Sequence, residues 1–365
     1  MTSEASGRKQ LWAVDLLKLI GQTGDSDAEY VWGLAFSPDD TRLAIGFNHL
    51  GEAGASQVIV VAVDHPKTVL RRLDPDNTAG LELFVRGNVQ WSPSGRFLAA
   101  YHKVVSLESE RVCLVPKDFE FGGFLADDRI VFTKSGLPFK SGLEGAAEIQ
   151  VRRPDCSVED AWPMANGFSY VWGTCPQAGL IAIQNMPDWP KSEITEAHLL
   201  SYPGHTTTRQ WTWGSGAALG GVILAYSCKA ICAGEYQVAN MNFHAACWST
   251  DTGGKILGDS RLTRTDHQAF DGSGGTLLAV RVSHWACLAG KFWQYLDMDG
   301  CVSRPTRRVL WSIETGQEIL SWPIPKQQFS IRERMLPDPY ALALSATGKY
   351  LAEGGAGRVQ LYAVP

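Results

Sequence analysis

Phe36-Ser37-Pro38-Asp39-Asp40-Thr41-Arg42-Leu43-Ala44-Ile45-Gly46 decides how this chain is read, because weaker copies of it recur along the whole length. The copies are Trp91-Ser92-Pro93-Ser94-Gly95-Arg96-Phe97-Leu98-Ala99-Ala100, Phe270-Asp271-Gly272-Ser273-Gly274-Gly275-Thr276-Leu277-Leu278-Ala279 and Leu344-Ser345-Ala346-Thr347-Gly348-Lys349-Tyr350-Leu351-Ala352. Each is an apolar run, a tight polar turn and a second apolar run, which is the pattern of a β-hairpin. A hairpin phrase that returns every roughly 40 to 60 residues marks a repeat architecture, in which each unit buries its apolar faces against its neighbours.

Reading hairpins and turns in order gives about seven units, near 30–73, 86–117, 122–164, 170–213, 221–261, 266–324 and 339–364. In the first, strands are expected over Val31 to Phe36, Arg42 to Phe47 and Gln57 to Val63. The third turns on the Asp127-Asp128 pair and continues into a strand from Glu148 to Arg152. The fourth opens with Tyr170-Val171-Trp172-Gly173, repeating Tyr30-Val31-Trp32-Gly33 letter for letter, so the two stretches are expected at one repeated position. The sixth carries a long insertion around Lys291 to Pro305, and the seventh ends at its third strand, Arg358 to Val364. Residues 1–21 contain an unpartnered strand candidate, Leu11 to Ile20, whose apolar spacing also suits a helix. As a strand it would supply the missing outer strand of the last unit and close the ring; the alternative is a mobile N-terminal arm.

The phrases resemble those of the WD-repeat β-propeller family. That family has an inner strand ending in Phe-Ser-Pro-Asp-Gly, and a third strand ending near Trp-Asp before a Thr-Gly-Lys turn. Third-strand counterparts here are Leu310-Trp311-Ser312-Ile313-Glu314-Thr315-Gly316-Gln317 and Cys247-Trp248-Ser249-Thr250-Asp251-Thr252-Gly253-Gly254-Lys255. Ser312 and Ser249 stand where the family has Asp, and its Gly-His signature is missing. The resemblance covers nearly the whole chain and implies an all-β fold: a single β-propeller over residues 1–365, with about seven four-stranded blades.

With 365 residues, 45% of them hydrophobic, the chain can fill such a ring, since each blade adds its own slice of core. Net charge is −5, and the doublets Arg71-Arg72, Arg152-Arg153 and Arg307-Arg308 are scattered among units. They read as solvated strand ends and not as the basic stripe of a nucleic-acid binder. The first nine residues lack the apolar region of a secretory signal, and no apolar run is long enough to span a bilayer. A soluble, cytoplasmic protein without a membrane partner is expected. Eight irregularly spaced cysteines are too sparse for a disulfide scaffold and agree with that setting.

No phosphate-cradling loop, nucleophile elbow or paired-His helix is present, and Asp74-Pro75-Asp76-Asn77-Thr78 lacks the Gly and Glu of a calcium loop. His-x-x-Cys occurs twice, at His244/Cys247 and His284/Cys287, with Cys228, Cys232 and Cys301 nearby. On a strand, residues three apart point to opposite faces, so neither pair grips one zinc ion. These cysteines read as small buried hydrophobes, a redox-active Cys228/Cys232 pair being the weaker reading. No metal or cofactor is expected.

Among thirteen tryptophans, Trp91, Trp248 and Trp311 fall at apolar strand positions and read as blade core. Trp32 and Trp172 fall on the alternate face at the start of inner strands, as does Tyr340 in the seventh unit. The family resemblance places that position at the top mouth of the central channel. The plainer reading packs these rings against a neighbouring blade. The leading expectation is a non-enzymatic scaffold holding a protein or peptide, with Trp32, Trp172 and Tyr340 as anchors, Arg86 and His267 as polar selectors, and Tyr30, Asn88, Tyr170 and Asp266 beside them. The rivals are a propeller hydrolase or lyase using Asp266 and His267 in the channel, and a purely structural assembly subunit.

Overall fold

The computed structural model describes residues 8–21, 29–49, 56–73, 89–100, 103–109, 111–116, 119–134, 147–164, 168–186, 195–213, 219–224, 228–237, 242–259, 262–263, 269–270, 276–282, 305–323, 341–355 and 357–364. They form seven antiparallel sheets, the blades, with a single four-residue α-helix among the described residues.

An N-terminal strand, β1 (Lys9–Asp15), precedes blade 1, which is β2 to β5 (Glu29–Phe36, Arg42–His49, Ser56–Ala62, Val69–Leu73). Blade 2 is β6 to β9 (Gln90–Trp91, Phe97–Ala100, Lys103–Ser106, Val112–Leu114), and blade 3 is β10 to β13 (Glu120–Phe124, Ile130–Lys134, Glu148–Arg152, Val158–Pro163). Blade 4 is β14 to β17 (Phe168–Cys175, Leu180–Met186, Thr195–Ser201, Thr206–Trp213), and blade 5 is β18 to β21 (Leu219–Leu224, Ala230–Gln237, Asn242–Ser249, Lys255–Asp259). In blade 6 the first strand is split into β22 (Leu262–Thr263) and β23 (Ala269–Phe270), both pairing with β24 (Thr276–Val282); β25 (Pro305–Ser312) and β26 (Gln317–Pro323) complete it. Blade 7 is β27 to β29 (Ala341–Leu344, Tyr350–Gly355, Arg358–Ala363), with β1 as its fourth strand.

The recurring phrase is the turn between the first two strands of a blade. In blade 1 the Asp40 N–H donates to Ser37 O at 2.9 Å, closing a four-residue turn whose second position, Pro38, comes with φ preset. Ser37 is fully buried, and its Oγ accepts from Arg42 N–H at 2.9 Å, satisfying a donor at the start of β3. Ser92 and Ser345 repeat both bonds in blades 2 and 7. The fourth turn position is left-handed each time: Asp40 at φ 58°, Gly95 at 70°, Gly348 at 73°. Blade 3 turns more tightly, with Arg129 N–H donating to Ala126 O at 3.3 Å and the central Asp127 and Asp128 both left-handed at φ 56° and 58°, as expected of a turn at the Asp pair.

Both faces of an inner sheet are covered, which is why β3 reads as an unbroken apolar run. Leu43, Ile45 and Phe47 join a cluster shared with blade 7, whereas Ala44 points the other way into a cluster shared with blade 2. Further clusters lie between blades 2 and 3, 3 and 4, 4 and 5, and 6 and 7, so the core is a series of slabs between neighbours. Trp91, Trp248 and Trp311 are 5–7% exposed within it, as expected.

β1 pairs antiparallel with β29 from Lys9↔Ala363 to Asp15↔Arg358. Over Leu11 to Ile20 the strand and helix readings are each half right: the strand stops at Asp15, which caps a one-turn helix, α1 (Leu16–Leu19). Leu16 and Leu17 are 0% and 3% exposed, and Leu16 N–H donates to Gly357 O at 2.9 Å. Arg8 lies over the Trp322 and Tyr362 rings, and its Nη1 is 2.9 Å from Glu353 Oε1. The same oxygen accepts from Arg308 Nη1 at 3.0 Å and Trp322 Nε1 at 2.7 Å, joining blades 6 and 7 to the N-terminal segment.

Deleting residues 1–21 should therefore strip β29 of its outer partner and remove two buried leucines, each contributing about 2 kcal/mol or more. Size-exclusion chromatography is expected to show aggregation and thermal denaturation a lowered Tm; a monomer with unchanged Tm would refute this role for β1. A finer change tests the turns. Asp40→Gly relieves the left-handed strain while removing a carboxylate that accepts from Ala346 N–H at 2.7 Å, Thr347 N–H at 3.0 Å and Thr347 Oγ1 at 2.6 Å in blade 7. Chemical denaturation is expected to show a net loss of about 2 kcal/mol, and a gain would mean that strain outweighs the contact.

Candidate functional site

The repeated Tyr-Val-Trp-Gly stretches occupy one structural position. In blade 1, Val31 pairs with Phe47 and Gly33 with Gly46, leaving Trp32 as the extra residue of a β-bulge. In blade 4, Val171 pairs with Ile183 and Gly173 with Ala182, leaving Trp172 in the same place. Blades 3 and 5 have the bulge too, at Gly122 and Gly221. A bulge re-aims the side chain it carries, and two of the four bulges carry tryptophan.

Trp32 is half-buried, on the alternate face from Val31 and Leu34, and packs against the slab between blades 1 and 2. Its ring occupies the space over Gly46, where an added Cβ would lie 2.5 Å from the ring. Tyr30 pairs with Asn48 and Tyr170 with Gln184 in the backbone ladders of β2 and β14. For Tyr30, Tyr170 and Trp172 the structure describes the backbone position alone. Arg86, Asn88, Asp266, His267 and Tyr340 lie outside the described residues, as does the insertion expected around Lys291 to Pro305 up to residue 304.

A second feature, one the sequence did not flag, is a cleft of about 290 Å³ between blades 3 and 4 on the face of the hairpin turns. It is lined by Arg129, Glu159, Pro176, Gly179, Tyr202 and Pro203 among others. Arg129 Nε lies 3.1 Å from both Glu159 oxygens, Arg153 Nε 3.3 Å from Oε2, and Tyr202 donates its O–H to Oε1 at 3.3 Å. Burial and the charges of Glu159 and Asp160 push the Tyr202 phenol above its ordinary pKa, so it stays a donor at neutral pH. Beside it Trp162 stacks on His205 at 3.9 Å, and His205 Nε2 lies 2.7 Å from Asp160 Oδ2. The lone pairs Glu159 would need as a general base are taken by three donors. The arrangement ties blades 3 and 4 together and offers a shallow polar recess.

The cysteines need a correction. Cys228, Cys232 and Cys247 are buried, as expected, but not as free thiols: Cys175 pairs with Cys228 and Cys232 with Cys247 as disulfides. The second is a directly opposed cross-strand pair of β19 and β20. The first links blades 4 and 5. Neither could be deduced from spacing, because both depend on which strands lie side by side. The pairing also removes the suggested Cys228/Cys232 redox couple and takes Cys247 out of any metal set with His244.

No family model and no curated protein sequence matches the chain. Solved structures do. An oligogalacturonate lyase in complex with manganese aligns over 100% of this chain and 95% of its own, at 11% identity and a TM-score of 0.62. A chain of the mitotic checkpoint complex aligns over 98% and 96%, at 13% identity and a TM-score of 0.56. The β-propeller domain of Cps50 (Swd1) from Myceliophteria thermophila aligns over 98% and 100%, at 11% identity and a TM-score of 0.52. At such identities the likeness establishes the β-propeller fold.

The contact of Trp32 with Gly46 is measurable. Gly46→Ala should cost about 1–3 kcal/mol through crowding of the indole, and much less in a Trp32→Ala background. A double-mutant cycle in denaturant is expected to give a coupling of about 1 kcal/mol or more; additive effects would mean the ring does not rest there.

Proposed function

We propose that the chain is a non-enzymatic scaffold that binds a protein or peptide across the end of the ring opposite the hairpin turns. The observation that carries this is the bulge shared by blades 1 and 4, each presenting a tryptophan near the start of an inner strand. In a seven-membered ring those blades face each other across the channel, with blade 7 and Tyr340 next to blade 1. Trp32, Trp172 and Tyr340 are assigned as anchors and Arg86 and His267 as polar selectors, with Tyr30, Asn88, Tyr170 and Asp266 at their edges. Large aromatics carry most binding energy at interfaces. The likeness to a chain from the mitotic checkpoint complex agrees with a protein partner.

No helix among the described residues is long and apolar enough to cross a membrane. Two disulfides are the chemistry of an oxidising compartment, and they weigh against the cytoplasmic setting expected from the N-terminal composition.

The test is affinity capture from native extract with wild type, Trp172→Ala, Tyr340→Ala and the Trp32→Ala/Trp172→Ala double variant, followed by mass spectrometry and titration of the captured partner. Each anchor lost is expected to weaken binding at least about tenfold with the fold intact. Unchanged affinity, or unfolding of the Trp172 and Tyr340 variants, would defeat the assignment. Elemental analysis separates the rival class: about one metal ion per chain surviving dialysis would favour a metal-dependent enzyme over a scaffold.

A further inference from the structure

We propose that Cys113 and Cys156 form a reversible dithiol site that closes as a disulfide between blades 2 and 3 by exchange with a low-molecular-weight disulfide. Cys113 lies on β9, the outer strand of blade 2, and is 3% exposed. Cys156 lies in the turn between β12 and β13 of blade 3, half-buried, and packs against the slab that contains Cys113. Its Sγ donates to the carbonyl oxygen of Val112, the residue before Cys113, at 3.9 Å, which sets the two thiols side by side between the blades. Both are free in this structure.

The same molecule contains a closed version of this arrangement. Cys228 sits in a turn of blade 5 at φ 62° and reaches back to Cys175, on the inner strand of blade 4, with the Cα atoms 5.5 Å apart. Cys156 sits in a turn of blade 3 at φ 74° and reaches back to a strand of blade 2. In both, a left-handed cysteine on a turn of the later blade meets a buried cysteine of the earlier one. Gly or Asn would hold that conformation at lower cost, and neither could form the link.

The two thiols have unequal roles. Burial first, and the neighbouring Cys156 second, push the Cys113 thiol up to about 12, so it does not open the reaction. Cys156, the more exposed, attacks as thiolate on one sulfur of the small disulfide, forms a mixed disulfide and expels one small thiolate. Cys113 then attacks Cys156 Sγ, loses its proton, and expels the second. Two protein thiols are oxidised to one disulfide, one small disulfide is reduced to two thiols, and a reducing pool reverses both steps. The link would pin β9, a three-residue edge strand whose Val112 and Leu114 are 44% and 62% exposed.

The experiment equilibrates the full chain with mixtures of reduced and oxidised glutathione, quenches exchange with acid, alkylates free thiols in denaturant and maps linkages by mass spectrometry. At the reducing end Cys113 and Cys156 should both be alkylated. At the oxidising end a Cys113–Cys156 linked peptide should appear, with Tm raised by roughly 4 °C, and both changes should be absent in Cys156→Ser. Cys113→Ser should stop at a glutathione adduct on Cys156. Wild type that accumulates this adduct while Cys113 remains alkylatable, or that keeps both thiols free at the oxidising end, would overturn the proposal. Since Cys156 is partly exposed, Cys156→Ser keeps the fold and the comparison holds even where Cys113→Ser does not.

Discussion

The structure depends on how one blade's turn holds the next. Three turns share a left-handed fourth position, filled by Asp40, Gly95 and Gly348 in blades 1, 2 and 7, and the tighter turn of blade 3 holds Asp128 left-handed too. Each Asp accepts from the Gly-type turn of the blade before it. Asp40 takes backbone and hydroxyl donors from Ala346 and Thr347, and Asp128 takes the N–H and Oγ–H of Ser94 at 3.1 and 2.5 Å. Arg42 of blade 1 then donates to Gly95 O at 3.0 Å while lying over the Trp91 ring. An aspartate in this backbone conformation costs about 1 kcal/mol, while bonds to a buried carboxylate contribute about 1.5–3 kcal/mol each. The exchange is favourable wherever a neighbouring turn presents its donors.

The same logic, a side chain from one blade satisfying backbone of another, continues around the ring with different chemistry. Thr174 Oγ1 of blade 4 donates to Phe124 O of blade 3 at 2.5 Å, and Trp211 Nε1 donates to Gly253 O of blade 5 at 3.0 Å. Between blades 6 and 7 the tie is ionic, with Arg308 and Arg8 converging on Glu353. The apolar slabs supply the gross stabilisation, yet slabs of Val, Ile and Leu can slide. The directional bonds fix the angle between blades.

What was legible in the sequence follows from range. The turns were readable because Ser37-Pro38-Asp39-Asp40 determines its own geometry within four residues, and the strands followed from the apolar runs on either side. The role of β1 was readable from an arithmetic deficit, one strand too few at the end and one too many at the start. The bulges were half visible: identical letters at Tyr30–Gly33 and Tyr170–Gly173 announced one position, but the register slip that re-aims Trp32 over Gly46 arises from pairing with β3. Disulfides lay beyond reach for the same reason. Cys232 and Cys247 are apart in sequence and opposite in register, and Cys175 and Cys228 meet because blades 4 and 5 are neighbours. Asp40 and Asp128 could be seen as turn residues, though not as acceptors for another blade.

This division also bears on where recognition belongs. Antiparallel alternation puts every first-to-second and third-to-fourth connection at one end of the ring and all others at the opposite end. The first set is short and holds neighbour to neighbour through the bonds above, so its backbone is committed to the ring. The second set includes the longest stretches between strands, residues 74–89, 135–147, 283–304 and 324–340. Long connections on a rigid frame are where binding surfaces are usually built. Of the nine residues assigned to the site, Arg86 and Asn88 fall between β5 and β6, Asp266 and His267 between the two halves of blade 6's split first strand, and Tyr340 immediately precedes β27. The turn face spends its polar groups on holding the blades; the opposite face carries the bulges of β2 and β14 that hold Trp32 and Trp172.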